Sequence, residues 1–259
     1  MGVRLALSPK LCIGGNVKII TEAMYLATYQ FDKYKTNDTN ESKKPFDEVY
    51  IIGVPTSKLE DEQEVLATSL NVVEGVMIAR DLVNEPSNII YPETLANYVM
   101  DMGKKCGLEV DVMDEKQIKE LGMDAFLAVG MGSEKKPRLI VMRHKGNPED
   151  DYTLGLIGKG LTYDTGGYSL KPTDSMKTMH SDMGGAGAVI GTMYALAKNN
   201  VKQNVVAVVA ACENAISGDS YKPGDIISSM SGKTIEILNT DAEGRLTLAD
   251  AMTYMMRKE

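Results

Sequence analysis

Residues 204–211 read NVVAVVAA, and after its first asparagine the run is wholly apolar. Without polar alternation such a run cannot leave one face in water, and it is far too short to cross a membrane as a helix. It reads as a strand covered on both faces. LGLIG, at 154–158, has the same character, and helical and strand patterns alternate around the two. Helices are expected from about Glu60 to Leu82, from Pro92 to about Cys106, over DEKQIKELG (114–122), from about Met183 to Lys198, and from about Leu246 onward. Strands are expected over LEVDVM (108–113), PRLIVMRH (137–144) and TIEIL (234–238). This alternation predicts an α/β fold, with a largely parallel or mixed sheet covered by helices on both faces in three layers.

Residues 1–56 offer a helical stretch from Val17 to Tyr29, a polar segment KTNDTNESKK (35–44) and a strand pattern EVYIIGV (48–54). That is too little for an independent domain, so the principal domain is expected to begin at 57 and run to 259. At 259 residues and 43% hydrophobic, the chain can build one sizeable core. It stops at AMTYMMRKE, inside a helical pattern, and a further C-terminal part is expected.

A net charge of −8 and a pI near 5.0 argue against a general nucleic-acid surface and favour a small neutral or cationic partner. Cys12, Cys106 and Cys212 are isolated, which suggests neither a disulfide framework nor a thiolate zinc site, so a reducing cytoplasm is the default compartment. The apolar run in MGVRLALSPK is too short for a signal peptide, and no stretch approaches the length of a membrane span.

In open sheets, functional groups collect beyond the carboxyl ends of strands. Two expected strands run into polar, glycine-rich turns, GKGLTYDTGGYSLK (158–171) and ILNTDAEGR (237–245), and HSDMGGAGA (180–188) opens a helix. Together they carry Lys159, Asp164, Lys171, Asp182, Asp241, Glu243 and Arg245. Converging carboxylates repel unless a cation sits among them, and a pair of divalent ions about 3.5–4 Å apart is the usual answer. Asp241 and Glu243, at i and i+2, would share one side of an extended strand end. Each signal also has a plainer reading. Asp182 serves equally as a helix N-cap and NTDAEGR as a solvated turn, while Lys159 followed by Gly160 fails the phosphate-loop pattern. GMG at 130–132 reads as a tight turn and the 17 methionines as core filler.

NTDAEGR resembles the signature of the leucyl aminopeptidase, or cytosol aminopeptidase, family of dinuclear metallopeptidases. GKGLTYDTGGYSLK resembles that family's first metal segment, HSDMGGAGAV its second, and ACENAISGDSYKPGD (211–225) the stretch leading to the signature. NEPSN (84–88) resembles a segment near the start of the catalytic domain. The resemblance covers roughly residue 57 to the end. It implies that residues 1–56 are a remnant of a smaller α/β N-terminal domain with its linker, and that the catalytic domain continues past 259.

Carried over residue by residue, the resemblance implies that Lys159, Asp164, Asp182 and Glu243 hold a more exchangeable metal, and Asp164, Asp241 and Glu243 a tighter one. Mn²⁺ or Zn²⁺ would be the ions, the mostly oxygen donors without histidine admitting Mn²⁺, Mg²⁺ or Co²⁺ alongside Zn²⁺, and Lys159 must lose its proton to bind. The implied reaction removes N-terminal residues, leucine by preference, from peptides with a free N-terminus through attack of a metal-bridging water. Lys171 would stabilise the oxyanion and Arg245 would hold bicarbonate as general base. Met179 would line the pocket for the first side chain, and the assembly would be a hexamer. The alternatives are another dinuclear hydrolase, such as a phosphoesterase, or a non-catalytic fragment. The former usually recruits histidine, and the chain has only His144 and His180. Expressed alone, this chain is expected to be poorly soluble with little peptidase activity.

Overall fold

The structure, a computed structural model, describes residues 5–6, 16–36 and 48–259. The chain divides into two compact units, residues 1–77 and 78–259. In the first, β1 (Leu5–Ala6) pairs in parallel with β2 (Ile51–Ile52), and α1 (Asn16–Thr28) occupies the expected helical stretch. The strand pattern at 48–54 is thus realised only at its centre, and most of the polar segment 35–44 lies outside the described residues. The next helix, α2 (Leu59–Asn84), contains the division between the units. Among the described residues no helix is long and apolar enough to cross a membrane.

The second unit continues with α3 (Pro92–Cys106), β3 (Glu109–Met113), α4 (Glu115–Glu120), α5 (Asp124–Gly130), β4 (Arg138–Lys145) and β5 (Thr153–Asp164). It ends with α6 (Thr173–Met176), α7 (Gly184–Lys198), β6 (Asn204–Asn214), β7 (Ile226–Ser228), β8 (Thr234–Glu236) and α8 (Gly244–Lys258). The helix starts obey local chemistry. Pro92 stands in the first turn of α3, where its missing N–H costs nothing, and the Asp114 carboxylate accepts the Gln117 N–H at 2.9 Å to cap α4. GMG falls at the turn closing α5, as expected.

The principal sheet has the order β3-β4-β6-β5. It is mixed, with β5 and β6 parallel and the β3/β4 and β4/β6 pairs antiparallel. The parallel pair is the one whose connection carries α7, the long crossover that parallel strands require. TIEIL does not extend this sheet. Only Thr234–Glu236 is strand, and it pairs with β7 in a separate antiparallel hairpin that satisfies its backbone groups locally.

The apolar run that dominates the sequence forms the centre of β6, and its side chains alternate between two cores. Val205, Ala207, Val209 and Ala211 pack with α3 and α7 residues such as Leu95, Val99, Ile190 and Met193. Val206, Val208, Ala210 and Cys212 pack with Phe126, Leu246, Ala251 and Tyr254 from α5 and α8. Each large side chain removed from water in this way contributes about 1.5–3 kcal/mol. Asp250, wholly buried on α8, receives the Phe126 N–H at 2.9 Å and the Met230 N–H at 2.8 Å. These bonds tie α8 to α5 and to the β7–β8 hairpin, and so set where the N-terminus of α8 meets the sheet.

Candidate metal centre

The carboxyl end of β5 supplies Lys159 from within the strand and Asp164 from its last position. Lys159 is therefore a strand residue pointing from the sheet, and GKG makes no phosphate-binding loop. Asp164 is followed by Thr165, Gly166 and Gly167, where φ reaches +86° at Gly166 and +64° at Gly167. This double left-handed turn is open to glycine at little steric cost. A Cβ at Gly166 would also lie 2.9 Å from Asp241 Oδ1 and 2.5 Å from the Ser169 carbonyl oxygen. The turn returns the chain so that Lys171 faces Asp164.

Asp182 ends a short 3₁₀ turn, Met179–Ser181, just before α7. It does not act as an N-cap. Its Oδ1 accepts a hydrogen bond from Lys159 Nζ at 2.8 Å, and Nζ lies 2.7 Å from its Oδ2. Met179 begins the same turn and is half-buried.

Asp241 and Glu243 depart from the extended geometry expected of them. Thr240–Ala242 forms a 3₁₀ turn, Asn239 caps it by accepting the Asp241 N–H at 2.7 Å, and Glu243 has helical φ and ψ at the entrance to α8. Asn239 and Gly244 make a compact turn easier than a continued strand. Gly244 also clears a path for a neighbour, since a Cβ there would meet Lys159 Cε at 2.6 Å. Arg245 is exposed in the first turn of α8.

These segments bring the acids together. Asp164, Asp241 and Glu243 each present an oxygen within 4.8 Å of the others, with Asp164 and Glu243 only 2% and 1% exposed. Two lysines lie among the acids. Lys159 Nζ is 2.7 Å from Glu243 Oε1 as well as paired with Asp182, while Lys171 Nζ is 3.0 Å from Asp164 Oδ2 and donates to Asp241 Oδ1. Burial disfavours both ammonium groups, but their paired carboxylates outweigh it and hold each above the ordinary lysine range. Burial likewise raises the carboxyls of Asp182 and Glu243, with Lys159 pulling the other way. Four carboxylates against two ammonium groups leave negative charge uncompensated. Glu243 Oε2 is buried without a hydrogen-bond partner. A hard donor set with a carboxylate oxygen left open suits divalent cations.

A shell behind the acids was not legible in the motifs. Asn214, register partner of Asp164 across the parallel pair, donates from Nδ2 to Asp164 Oδ1 at 2.8 Å and to the Thr240 carbonyl oxygen at 3.0 Å. Tyr221 donates to the same carbonyl at 2.8 Å, and burial drives its hydroxyl pKa far upward. Thr240 Oγ1 donates to the Gly166 carbonyl oxygen at 2.6 Å and accepts the Ser169 N–H at 2.8 Å. An asparagine closing a mostly apolar buried strand, next to Glu213, is the sequence feature that could have marked it.

The family model described as the cytosol aminopeptidase family, catalytic domain, matches residues 77–259. A probable cytosol aminopeptidase of Clostridium perfringens is 55% identical over 246 residues, covering 94% of this chain and 49% of its own. One from Alkaliphilus oremlandii is 46% identical over 258 residues, covering all of this chain and 51% of its own. The solved bottromycin maturation enzyme BotP in complex with Mn superposes with a TM-score of 0.85 at 31% identity, over 99% of this chain and 54% of that one. The chain spans about half the length of the curated relatives it matches.

Proposed function

Because the chain belongs to the cytosol aminopeptidase family, we propose that it carries the metal-binding half of a metal-dependent aminopeptidase that removes N-terminal residues, leucine by preference, from peptides. The observation that carries this reading is the convergence of Asp164, Asp182, Asp241 and Glu243 with Lys159 and Lys171 at the carboxyl end of the sheet. Lys159, Asp164, Asp182 and Glu243 would hold one divalent ion, and Asp164, Asp241 and Glu243 a second, with Mn²⁺ favoured by the Mn complex of BotP. Two such ions, when bound, supply Lewis acidity and a nucleophile at neutral pH.

The chain's own groups have distinct tasks in this reading. Lys159 would serve as an amine donor only in its neutral form, its proton passing to solvent, and Asp182 and Glu243 would then be free of their present pairing. Lys171, whose ammonium is paired with Asp164 and Asp241, would stay protonated beside a centre held on those carboxylates and would donate to the developing oxyanion. Arg245, in the first turn of α8, has a guanidinium and nearby helix N–H groups suited to an anion. Bicarbonate there would take up the proton released in the attack. Met179 would contact the substrate's first side chain. A cytoplasmic hexamer, with residues 1–56 as the remnant of a smaller N-terminal domain and its linker and residues 57–259 in the catalytic domain, is part of the same proposal.

Assay of leucyl p-nitroanilide beside p-nitrophenyl phosphate, with and without Mn²⁺, tests it. Metal-dependent release of nitroaniline alone is expected from the full-length protein. Release of nitrophenol instead would assign the centre to phosphate esters.

A further inference from the structure

We propose that Asn214 is a positioning residue of the carboxylate centre, holding Asp164 and the Asp241 turn in register so that Asp164 offers only Oδ2 to a bound cation. The inference rests on the metal-centre reading above. Both partners of Asn214 Nδ2, Asp164 Oδ1 and the Thr240 carbonyl oxygen, are pure acceptors, so only the amide NH₂ can face them. Asp164 Oδ1 also accepts the Gly166 N–H at 2.8 Å. With two donors on Oδ1, its remaining oxygen, Oδ2, is turned toward Lys171 Nζ, 3.0 Å away. The second Nδ2 bond fixes the carbonyl immediately before Asp241. One wholly buried side chain therefore sets the spacing between ligands from two segments 77 residues apart in sequence, 164 and 241.

The same residue commits its backbone to the task. The Asn214 carbonyl oxygen accepts the Thr165 N–H at 2.9 Å and the Thr165 hydroxyl at 2.8 Å, anchoring the start of the glycine turn. Its Oδ1 is buried without a hydrogen-bond partner and lies 3.0 Å from where a Cβ on Gly167 would stand. An unpaired carbonyl oxygen kept in the interior costs free energy, about 1–3 kcal/mol. A residue chosen for packing alone would be apolar there. The amide is retained for the two N–H bonds on its other side.

The test uses Asn214→Asp, which keeps the shape but replaces both donors with acceptors, and Asn214→Ala. Mn²⁺ titration of the full chain by calorimetry is the first readout, and native-state amide exchange of Gly166 in EDTA is the second. Loss of such an outer partner lowers metal affinity by about 10- to 100-fold. That loss is expected in both variants while they remain folded by circular dichroism. Gly166 exchange in metal-free protein is expected to accelerate by about tenfold or more as Asp164 is released. Wild-type Mn²⁺ affinity and wild-type Gly166 protection in the folded variants overturn the proposal. Unfolding of both variants would assign Asn214 to the core and overturn it too. If the wild-type chain binds no Mn²⁺, the metal reading fails, and Gly166 exchange alone decides the role of Asn214.

Discussion

Lys159 Nζ lies 2.7 Å from Glu243 Oε1, on a carboxylate that is 1% exposed. Among the described residues this ammonium is the cation paired with the buried acid, and it also serves Asp182. Removing it leaves charge stranded in the interior. Lys159→Met is therefore expected to destabilise the metal-free chain by about 3–5 kcal/mol, the cost of breaking a buried pair by deleting one partner. Urea unfolding in EDTA measures this. A change below about 0.5 kcal/mol, the scale of an ordinary surface substitution, would mean that Lys159 does not compensate Glu243.

Lys171 sits on the other pair of acids but has a different proposed task. Lys171→Ala, made in the full-length enzyme, is expected to lower kcat by about 10² to 10³ with two metal ions still bound, the scale of losing one oxyanion donor. Metal analysis beside steady-state kinetics separates the outcomes. Parallel loss of metal and activity would make Lys171 a structural partner of Asp164 and Asp241 rather than a group acting on the reaction.

The glycine turn after Asp164 is a point of strain for any other residue. Gly166→Ala places a Cβ at φ +86° and against Asp241 Oδ1. A loss of about 1–3 kcal/mol in unfolding free energy is expected, together with weaker Mn²⁺ binding, because the turn must move. Unaltered affinity in this variant would show that the turn's position does not matter to the ligands.

The layered α/β architecture was legible because NVVAVVAA has a single physical solution, burial on both faces, and β6 adopts it. The segments that bring acids together were legible too, since Asp164, Asp182 and Glu243 stand in glycine-rich stretches next to predicted elements. Other features depend on contacts remote in sequence. That β4 would pair antiparallel with β6, or that TIEIL would fold back on β7, follows from tertiary register and not from local pattern. The conformation of NTDAEGR departs from the local pattern for a similar reason. The i, i+2 spacing suits a strand, but Asn239 capping and the start of α8 at Gly244 favour a tight turn. Asn214 went unseen because its role exists only once Asp164 and Thr240 flank it.

Asp250 provides a pH test remote from the acids. Burial raises its carboxyl above the ordinary value of 3.8, against the pull of its backbone donors. The folded state therefore binds the proton more tightly than the unfolded chain. The stability this contributes is full below 3.8 and is lost as pH rises through the folded value. Asp250→Asn loses one acceptor and should cost about 1–3 kcal/mol. Its deficit relative to wild type should be largest below 3.8 and narrow as pH rises toward the folded value. A deficit that widens with pH would reverse the sign assigned to Asp250.

The acids at the carboxyl end of the sheet are proposed to form a two-ion centre built on Asp241 and Glu243. Calorimetric titration of Mn²⁺ into the wild-type chain, Asp241→Ala and Glu243→Ala tests it most directly. Two sites are predicted for the wild type, with one or both lost in each variant, because every missing carboxylate leaves cationic charge uncompensated. Two intact sites in either variant, or none in the wild type, would contradict it.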